Sequence, residues 1–347
     1  MVPGVAGRER IPVTLLTGFL GSGKTTLANR LLRRASFANT AVIVNELGEI
    51  GLDHLLVERG EDSVLLLDSG CLCCALQGGL RETLADLFVR RAAGSVPRFE
   101  RVVVETTGVA DPGPIANALV LDALLRAEFR LAAIVTTVDA MHAMRQLGEE
   151  PEAVRQVVLA DVLIVTKTDL ATHNAVAALG MRLEELNPTA RKATALRGDL
   201  DPDLLFPERR TAAAVPAAGE RLWHSGRGAP AAGVRERRFT TFERRFDHPV
   251  HWSGIAAWTA LVSERYGERL LRVKGLLAVG EERAPVAIHA IGGFFHPPER
   301  LDRWPSADRT SRLVCIGRDL DEATLERSLR ALALEEGAQR PLSLADL

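Results

Sequence analysis

The stretch Gly18-Phe-Leu-Gly-Ser-Gly-Lys24-Thr25 constrains this chain more than any other. It matches the pattern of a phosphate-binding loop, which has a structural meaning only between a strand and a helix. The flanks supply both. Residues 11–17 form an apolar run suited to a buried strand, and residues 25–34 have helical character. In that setting the glycines let backbone amides curl round a β-phosphate, and the helix N-terminus adds a favourable dipole. Lys24 would bridge the β and γ phosphates, and the Thr25 hydroxyl would ligate Mg²⁺. Gly21, Ser22, Gly23 and Thr26 complete the expected nucleotide contacts. A glycine-rich turn matching by chance would not bring strand, helix and every fixed position together.

From this loop onward the chain alternates short apolar runs with helical stretches. Strands are predicted at 11–17, 41–45, 63–68, 101–105, 131–138, 162–166 and 193–195, with helices such as 25–34, 76–91, 112–126 and 174–186 between them. Near-continuous apolar strands joined by helices mean a mostly parallel sheet covered on both faces. Residues 206–234 are rich in Pro, Gly, Ala and Arg and read as a linker. Beyond them, strands are expected at 235–246, 270–279, 285–291 and 312–316, and helices at 252–266 and 321–332. The predicted fold class is therefore α/β: a P-loop NTPase domain over 1–205 and a smaller α+β domain over 235–335. Residues 336–347 read as a loose tail.

Composition excludes more than it selects. The chain has 347 residues, 47% hydrophobic and 25% charged, ordinary values for a globular protein. Its 43 basic and 45 acidic residues give no pull towards nucleic acid or an acidic membrane. No stretch approaches about 18 consecutive apolar residues, so a cytoplasmic location is expected, without a membrane partner. The four cysteines are too few and too clustered for a disulfide framework. Only four of the basic residues are lysines: Lys24, Lys167, Lys192 and Lys274. In a chain that relies so heavily on arginine, a retained lysine invites a chemical reason, and two of the four fall in nucleotide motifs.

Val102-Val-Val-Glu105-Thr-Thr-Gly108 ends a predicted strand. Glu105 there can hold Mg²⁺ through water, and the Gly108 amide can sense a γ-phosphate. Thr166-Lys167-Thr168-Asp169 ends another. The Asp169 carboxylate can accept both hydrogen bonds from the N1 and 2-amino edge of guanine, while the Lys167 stem lies over the base. A buried carboxylate facing the wrong base is costly, which favours GTP over ATP.

Cys71-Leu72-Cys73-Cys74 holds three of the four cysteines and lies between the loop and the Glu105 motif. Buried packing is the competing reading, since free cysteine is often a core residue. Three in four positions point instead to metal or redox chemistry. Thiolates are soft ligands that suit Zn²⁺, with Cu(I) or Co²⁺ also fitting. Three sulfurs leave a tetrahedral site one ligand short, and Glu49 is the preferred fourth. The predicted helix at 76–91 would lower the thiol pKa. A disulfide switch remains the alternative.

The motifs TGFLGSGKTTL (17–27), NELGEIGLD (45–53), SGCLCC (69–74), ETTGVADPGPI (105–115) and TKTD (166–169) together resemble the CobW-like family of metal-handling GTPases. LLRVKG (270–275) and SRLVCIG (311–317) are similar to that family's second domain. The resemblance implies a P-loop GTPase related to the nickel-insertion GTPases of urease and hydrogenase maturation. Members bind zinc or similar ions at the cysteine motif and are thought to pass metal to client proteins. Lys24, Thr25, Glu105, Lys167 and Asp169 match the nucleotide positions, and Cys71, Cys73 and Cys74 the thiols. Thr166 and Leu47 depart from the family's usual Asn and Phe, and Val44 stands where some relatives carry an acidic metal ligand.

The expected function is Mg²⁺-dependent hydrolysis of GTP to GDP and phosphate, coupled to delivery of a transition metal to an apo-metalloprotein client. Zinc is the first choice of ion, with cobalt or nickel as alternatives; a homodimer is left open. Two other readings remain: a metal-sensing GTP-binding regulator with negligible turnover, and a maturation factor for a cobalt or cobalamin protein. His248, His251, His289 and His296 read singly as structural or surface residues, and together as a candidate weak second metal or client site. The tryptophans read as core or interface.

Overall fold

The computed structural model describes residues 10–34, 37–44, 65–68, 78–206, 239–248 and 250–334. The chain divides into two compact units, Met1–Glu185 with Ala190–Arg210, and Leu186–Thr189 with Thr211–Leu347. No helix among the described residues is long and apolar enough to cross a membrane.

In the first unit the elements run β1 (Ile11–Gly18), α1 (Lys24–Leu32), β2 (Thr40–Val44), β3 (Leu65–Asp68), α2 (Gly78–Ala92), β4 (Arg101–Glu105), α3 (Pro112–Leu121), α4 (Ala123–Glu128), β5 (Phe129–Asp139), α5 (Ala143–Glu149), α6 (Pro151–Leu159), β6 (Val162–Thr166), α7 (His173–Leu186) and β7 (Arg191–Ala195). The strands form one sheet in the order β3-β2-β4-β1-β5-β6-β7. Every pairing in it is parallel. All seven predicted strands are present. The central ones are buried along nearly their whole length, which explains their largely apolar sequence. The order turns about β1, with β4, β2 and β3 to one side and β5, β6 and β7 to the other. In parallel sheets such a turning point opens a crevice at the strands' C-terminal ends.

The register fixes which side chains meet at that edge. Gly18 pairs with Thr137, Leu16 and Val44 both pair with Glu105, and Asp139 pairs with Thr166. Two helical details differ from the sequence reading. The stretch 112–126 is broken at Asp122, whose extended backbone ends α3 and whose carboxylate accepts from the Leu124 and Leu125 amides to start α4. Two further helices, α5 and α6, occupy the stretch between β5 and β6.

The second unit carries an antiparallel sheet of β8 (Phe239–Phe246), β9 (Leu270–Val279), β10 (Ala284–Ile291), β11 (Phe294–Phe295), β12 (Glu299–Arg300) and β13 (Ser311–Arg318). Its order is β11-β10-β9-β13-β8, with β12 also paired to β10. Helices α8 (Trp252–Tyr266) and α9 (Glu322–Ser328) share one core with Val273, Leu277, Ile288, Leu313 and Cys315 from the strands. Fully buried Trp258 anchors that core and donates its indole N–H to Ser328 Oγ at 3.0 Å. Of the predicted strand at 235–246, residues 235–238 lie outside the described residues and the rest is β8; the predicted helix at 321–332 is α9 followed by a 3₁₀ turn over Leu329–Ala333.

Candidate nucleotide site

The loop after β1 is shaped by three glycines with positive φ: Gly18 (143°), Gly21 (72°) and Gly23 (93°), the last being the N-cap of α1. At Gly18 the need is steric as well as conformational. A Cβ there would lie 2.3 Å from Thr137 Oγ1 and 2.5 Å from the Thr137 carbonyl. Ser22 is buried and shares a 2.7 Å hydrogen bond with Thr137 Oγ1, so the loop is bonded to β5 at its middle. Lys24 donates to the Gly18 carbonyl at 2.9 Å, which curls its ammonium back into the turn. Thr26 is exposed at the start of α1.

The Thr25 hydroxyl donates to Glu105 Oε1 at 2.7 Å, across two elements 80 positions apart in sequence. Glu105 is buried at the end of β4. A threonine hydroxyl and a carboxylate converging beside the loop lysine are hard oxygen donors, the set that Mg²⁺ prefers. Gly108 follows in the loop to α3. A Cβ there would meet Leu20 Cδ2 at 2.6 Å and Leu20 Cα at 2.9 Å, so only glycine lets this loop reach the phosphate-binding loop.

On the other flank, Thr166 takes a structural part in place of the usual asparagine. Its hydroxyl donates to the Ser22 carbonyl at 2.8 Å and approaches the Val138 carbonyl at 3.3 Å. Lys167 has a left-handed backbone (φ 56°) and donates to the Gly21 carbonyl at 2.7 Å and to Asp139 Oδ2 at 2.8 Å. Lys24 and Lys167 thus both place an ammonium against loop carbonyls, a point contact that a planar guanidinium fork does not reproduce. Asp169 is exposed here, not buried, with Arg197 Nε at 3.9 Å from its carboxylate.

Asp139 is a site residue that the sequence reading missed. It is buried at the end of β5 and accepts from Lys167, from His142 Nδ1 at 2.9 Å and from the Met141 amide at 2.8 Å. Burial pushes its carboxyl up, but hydrogen bonds from Lys167, His142 and Met141, with the Lys167 charge, outweigh it and hold the group below the usual carboxylate range. A carboxylate closing an apolar strand, as Glu105 closes β4, was the signal that could have found it.

Cys71, Cys73, Cys74 and Glu49 lie outside the described residues. Among the described residues no group of three or more His, Cys, Asp or Glu is placed to hold a metal ion, so His248, His251, His289 and His296 do not assemble one. His248 stacks on Phe246 at 4.8 Å, and His289 and His296 are buried. Cys315 lies in the second unit's core, where burial pushes its thiol far up. It is a packing residue.

Residues 12–193 match the model of the CobW/HypB/UreG nucleotide-binding domain, and residues 239–333 that of the cobalamin synthesis protein cobW C-terminal domain. The chain belongs to the CobW/HypB/UreG family. Among its relatives is the zinc chaperone YjiA of Escherichia coli, 31% identical over 323 residues that cover 93% of this chain and 98% of that protein. The zinc chaperone CobW of Pseudomonas aeruginosa is 29% identical over 92% of this chain and 91% of its own length. The zinc-regulated GTPase metalloprotein activator 1 of Schizosaccharomyces pombe is 34% identical over 56% of this chain and 47% of its own. The crystal structure of Zn(II)-bound YjiA GTPase from E. coli superposes with a TM-score of 0.70 at 27% identity, covering 94% of this chain and all of that one. The α/β class with a P-loop NTPase domain and a smaller α+β domain, and the family resemblance seen in the sequence, are thereby borne out.

Proposed function

We propose that this CobW-family protein hydrolyses GTP with Mg²⁺ and that its nucleotide state governs binding and delivery of a transition metal, zinc first, to client metalloproteins. The observation that carries the enzymatic half is the 2.7 Å contact between Thr25 and Glu105 beside Lys24. These residues would hold Mg²⁺, which when bound supplies neutralisation of the charge on the β and γ oxygens. Lys24 exchanges its carbonyl partner in the turn for phosphate oxygens, and the Gly108 amide meets the terminal phosphate. Asp169 reads the guanine edge while Lys167, held by Asp139, lies against the base.

The metal is cargo in this reading. Cys71, Cys73 and Cys74 bind it with Glu49 closing the fourth position, and the names of the relatives support zinc as the ion. A site with one replaceable ligand suits transfer. The test is GTP turnover with and without Mg²⁺, for the wild type and Lys24→Ala, beside zinc titration of Cys73→Ser. Lys24→Ala should abolish hydrolysis and keep zinc binding; Cys73→Ser should keep basal hydrolysis and lose zinc binding. Turnover equal in wild type and Lys24→Ala would sink the enzymatic half.

A further inference from the structure

The loop from Thr106 to Asp111 carries Gly108 and follows directly on Glu105. From the sheet it is held by the Thr106 amide, which donates to the Leu16 carbonyl at 2.9 Å. From α6 it is held by side chains. Gln156 is 1% exposed, and its Nε2 donates to two carbonyls of the loop, Gly108 at 3.1 Å and Ala110 at 3.0 Å. Its neighbour Arg155 bonds Asp111 Oδ2 at 2.5 Å, and Asp111 in turn caps α3 through the Gly113 amide. The Gln156 backbone carbonyl accepts from Thr136 Oγ1 at 2.8 Å, which fixes α6 to β5 at that residue.

Chemistry sets the direction of this contact. Two carbonyl acceptors demand two N–H donors, so the amide has one allowed orientation; turned over, its oxygen would face two oxygens. Oε1 is then buried with no hydrogen-bond partner among the described residues, and Gln156 lines a small cavity with Phe19, Thr137 and Gln146. A buried glutamine with one oxygen unsatisfied is costly, and a leucine or methionine would fill the same space without that cost. Its gain is the placement of the loop. Gly108 meets Leu20 of the phosphate-binding loop through its Cα and Gln156 through its carbonyl.

We infer that Gln156 is a positioning residue for GTP hydrolysis, its carboxamide setting where the Gly108 amide stands relative to the terminal phosphate. This rests on the GTPase reading and deepens it. Gln156 touches neither nucleotide nor metal in this account; it acts through Gly108. GDP has no γ-phosphate to offer that amide, so the effect is confined to the triphosphate state.

The test measures kcat and KM for GTP and the affinity for a fluorescent GDP across about two pH units near neutrality, in wild type, Gln156→Met and Gln156→Glu. Gln156→Met keeps the volume and removes both donors, so kcat should fall about tenfold or more while GDP affinity stays within about twofold. Gln156→Glu sets a carboxylate against two carbonyls at high pH and regains one donor when protonated. Its kcat relative to wild type should therefore rise as pH falls. A structural role alone would lower GDP affinity and melting temperature together and leave that ratio flat with pH. Wild-type kcat in Gln156→Met, or a flat ratio in Gln156→Glu, overturns the inference. If the wild type shows no turnover above Lys24→Ala, the GTPase reading fails separately. The clamp is then read from the ratio of GTP-analogue to GDP affinity, which Gln156→Met should reduce and which must not stay unchanged. Hydrogen exchange of Gly108 and Ala110 in the unmutated protein gives an arm free of folding defects. Protection should be greater with a GTP analogue than with GDP, and equal protection contradicts the proposal.

Discussion

Asp139→Asn removes the carboxylate on which the base-side lysine depends. In the folded protein that carboxylate takes hydrogen bonds from Lys167 at 2.8 Å, His142 at 2.9 Å and the Met141 amide at 2.8 Å while 2% exposed. Asparagine keeps the shape but loses the charge, and one face of its amide now presents N–H groups to an ammonium or an imidazole. A charge-assisted hydrogen bond contributes about 1.5–3 kcal/mol. Lys167 is about a third exposed, so solvent screening argues for the lower end, about 2 kcal/mol. That loss corresponds to roughly a thirtyfold weakening if it falls on nucleotide binding. It should appear equally for GTP and GDP, because in the proposed reading Lys167 lies against the base, which both nucleotides share. The assay is titration with fluorescent GTP analogue and GDP, beside thermal unfolding, where about 2 kcal/mol lowers Tm by about 4–8 °C in a domain of this size. The pH signature has a definite sign. Because the folded pKa is depressed, the stabilisation is present above the unfolded value of about 3.9 and is lost as pH falls through the folded value. Wild-type stability should therefore fall more steeply than that of Asp139→Asn as the medium is acidified below about pH 4. Unchanged affinity for both nucleotides together with an unchanged melting temperature would refute the reasoning.

Three further outcomes follow from the site and the second core. Gly108→Ala puts a methyl group 2.9 Å from Leu20 Cα, and backbone must shift to admit it, so kcat should fall by about tenfold with GDP affinity kept. Thr25→Val keeps the branched shape and removes the hydroxyl that meets Glu105; GTP affinity should then cease to rise with added Mg²⁺, measured by titration at several Mg²⁺ concentrations. Trp258→Phe removes the indole bond to Ser328 and leaves space in the second core. It should cost about 2 kcal/mol in urea unfolding of that unit without altering GTP hydrolysis.

Much of this fold was legible because its strands are buried on both faces. An unbroken run such as Val162–Thr166 can sit almost nowhere else in a folded chain. The loop Gly18 to Thr25 was legible for a different reason: phosphate binding needs glycine, lysine and threonine at fixed spacing next to a strand and a helix. What escaped depends on contacts remote in sequence. Helices α5 and α6 are short, and an acidic pair, Glu149 and Glu150, interrupts their periodicity. Asp139 gains its meaning from a register with Thr166, and Gln156 from the way α6 meets a loop 46 positions earlier. Asp122 could have been caught, since an aspartate ahead of an apolar helical run is a cap signal. The thiol motif rests on sequence and kinship alone, because Cys71, Cys73 and Cys74 lie outside the described residues.

The central claim is that nucleotide state and metal affinity are coupled. The most direct measurement is the zinc dissociation constant of the full chain, taken by competition with a chromogenic chelator, with Mg²⁺ and either a non-hydrolysable GTP analogue or GDP. The account predicts that the two constants differ by a factor of about 5–150, and that Cys73→Ser abolishes the difference. Equal zinc affinity in the two nucleotide states would contradict it.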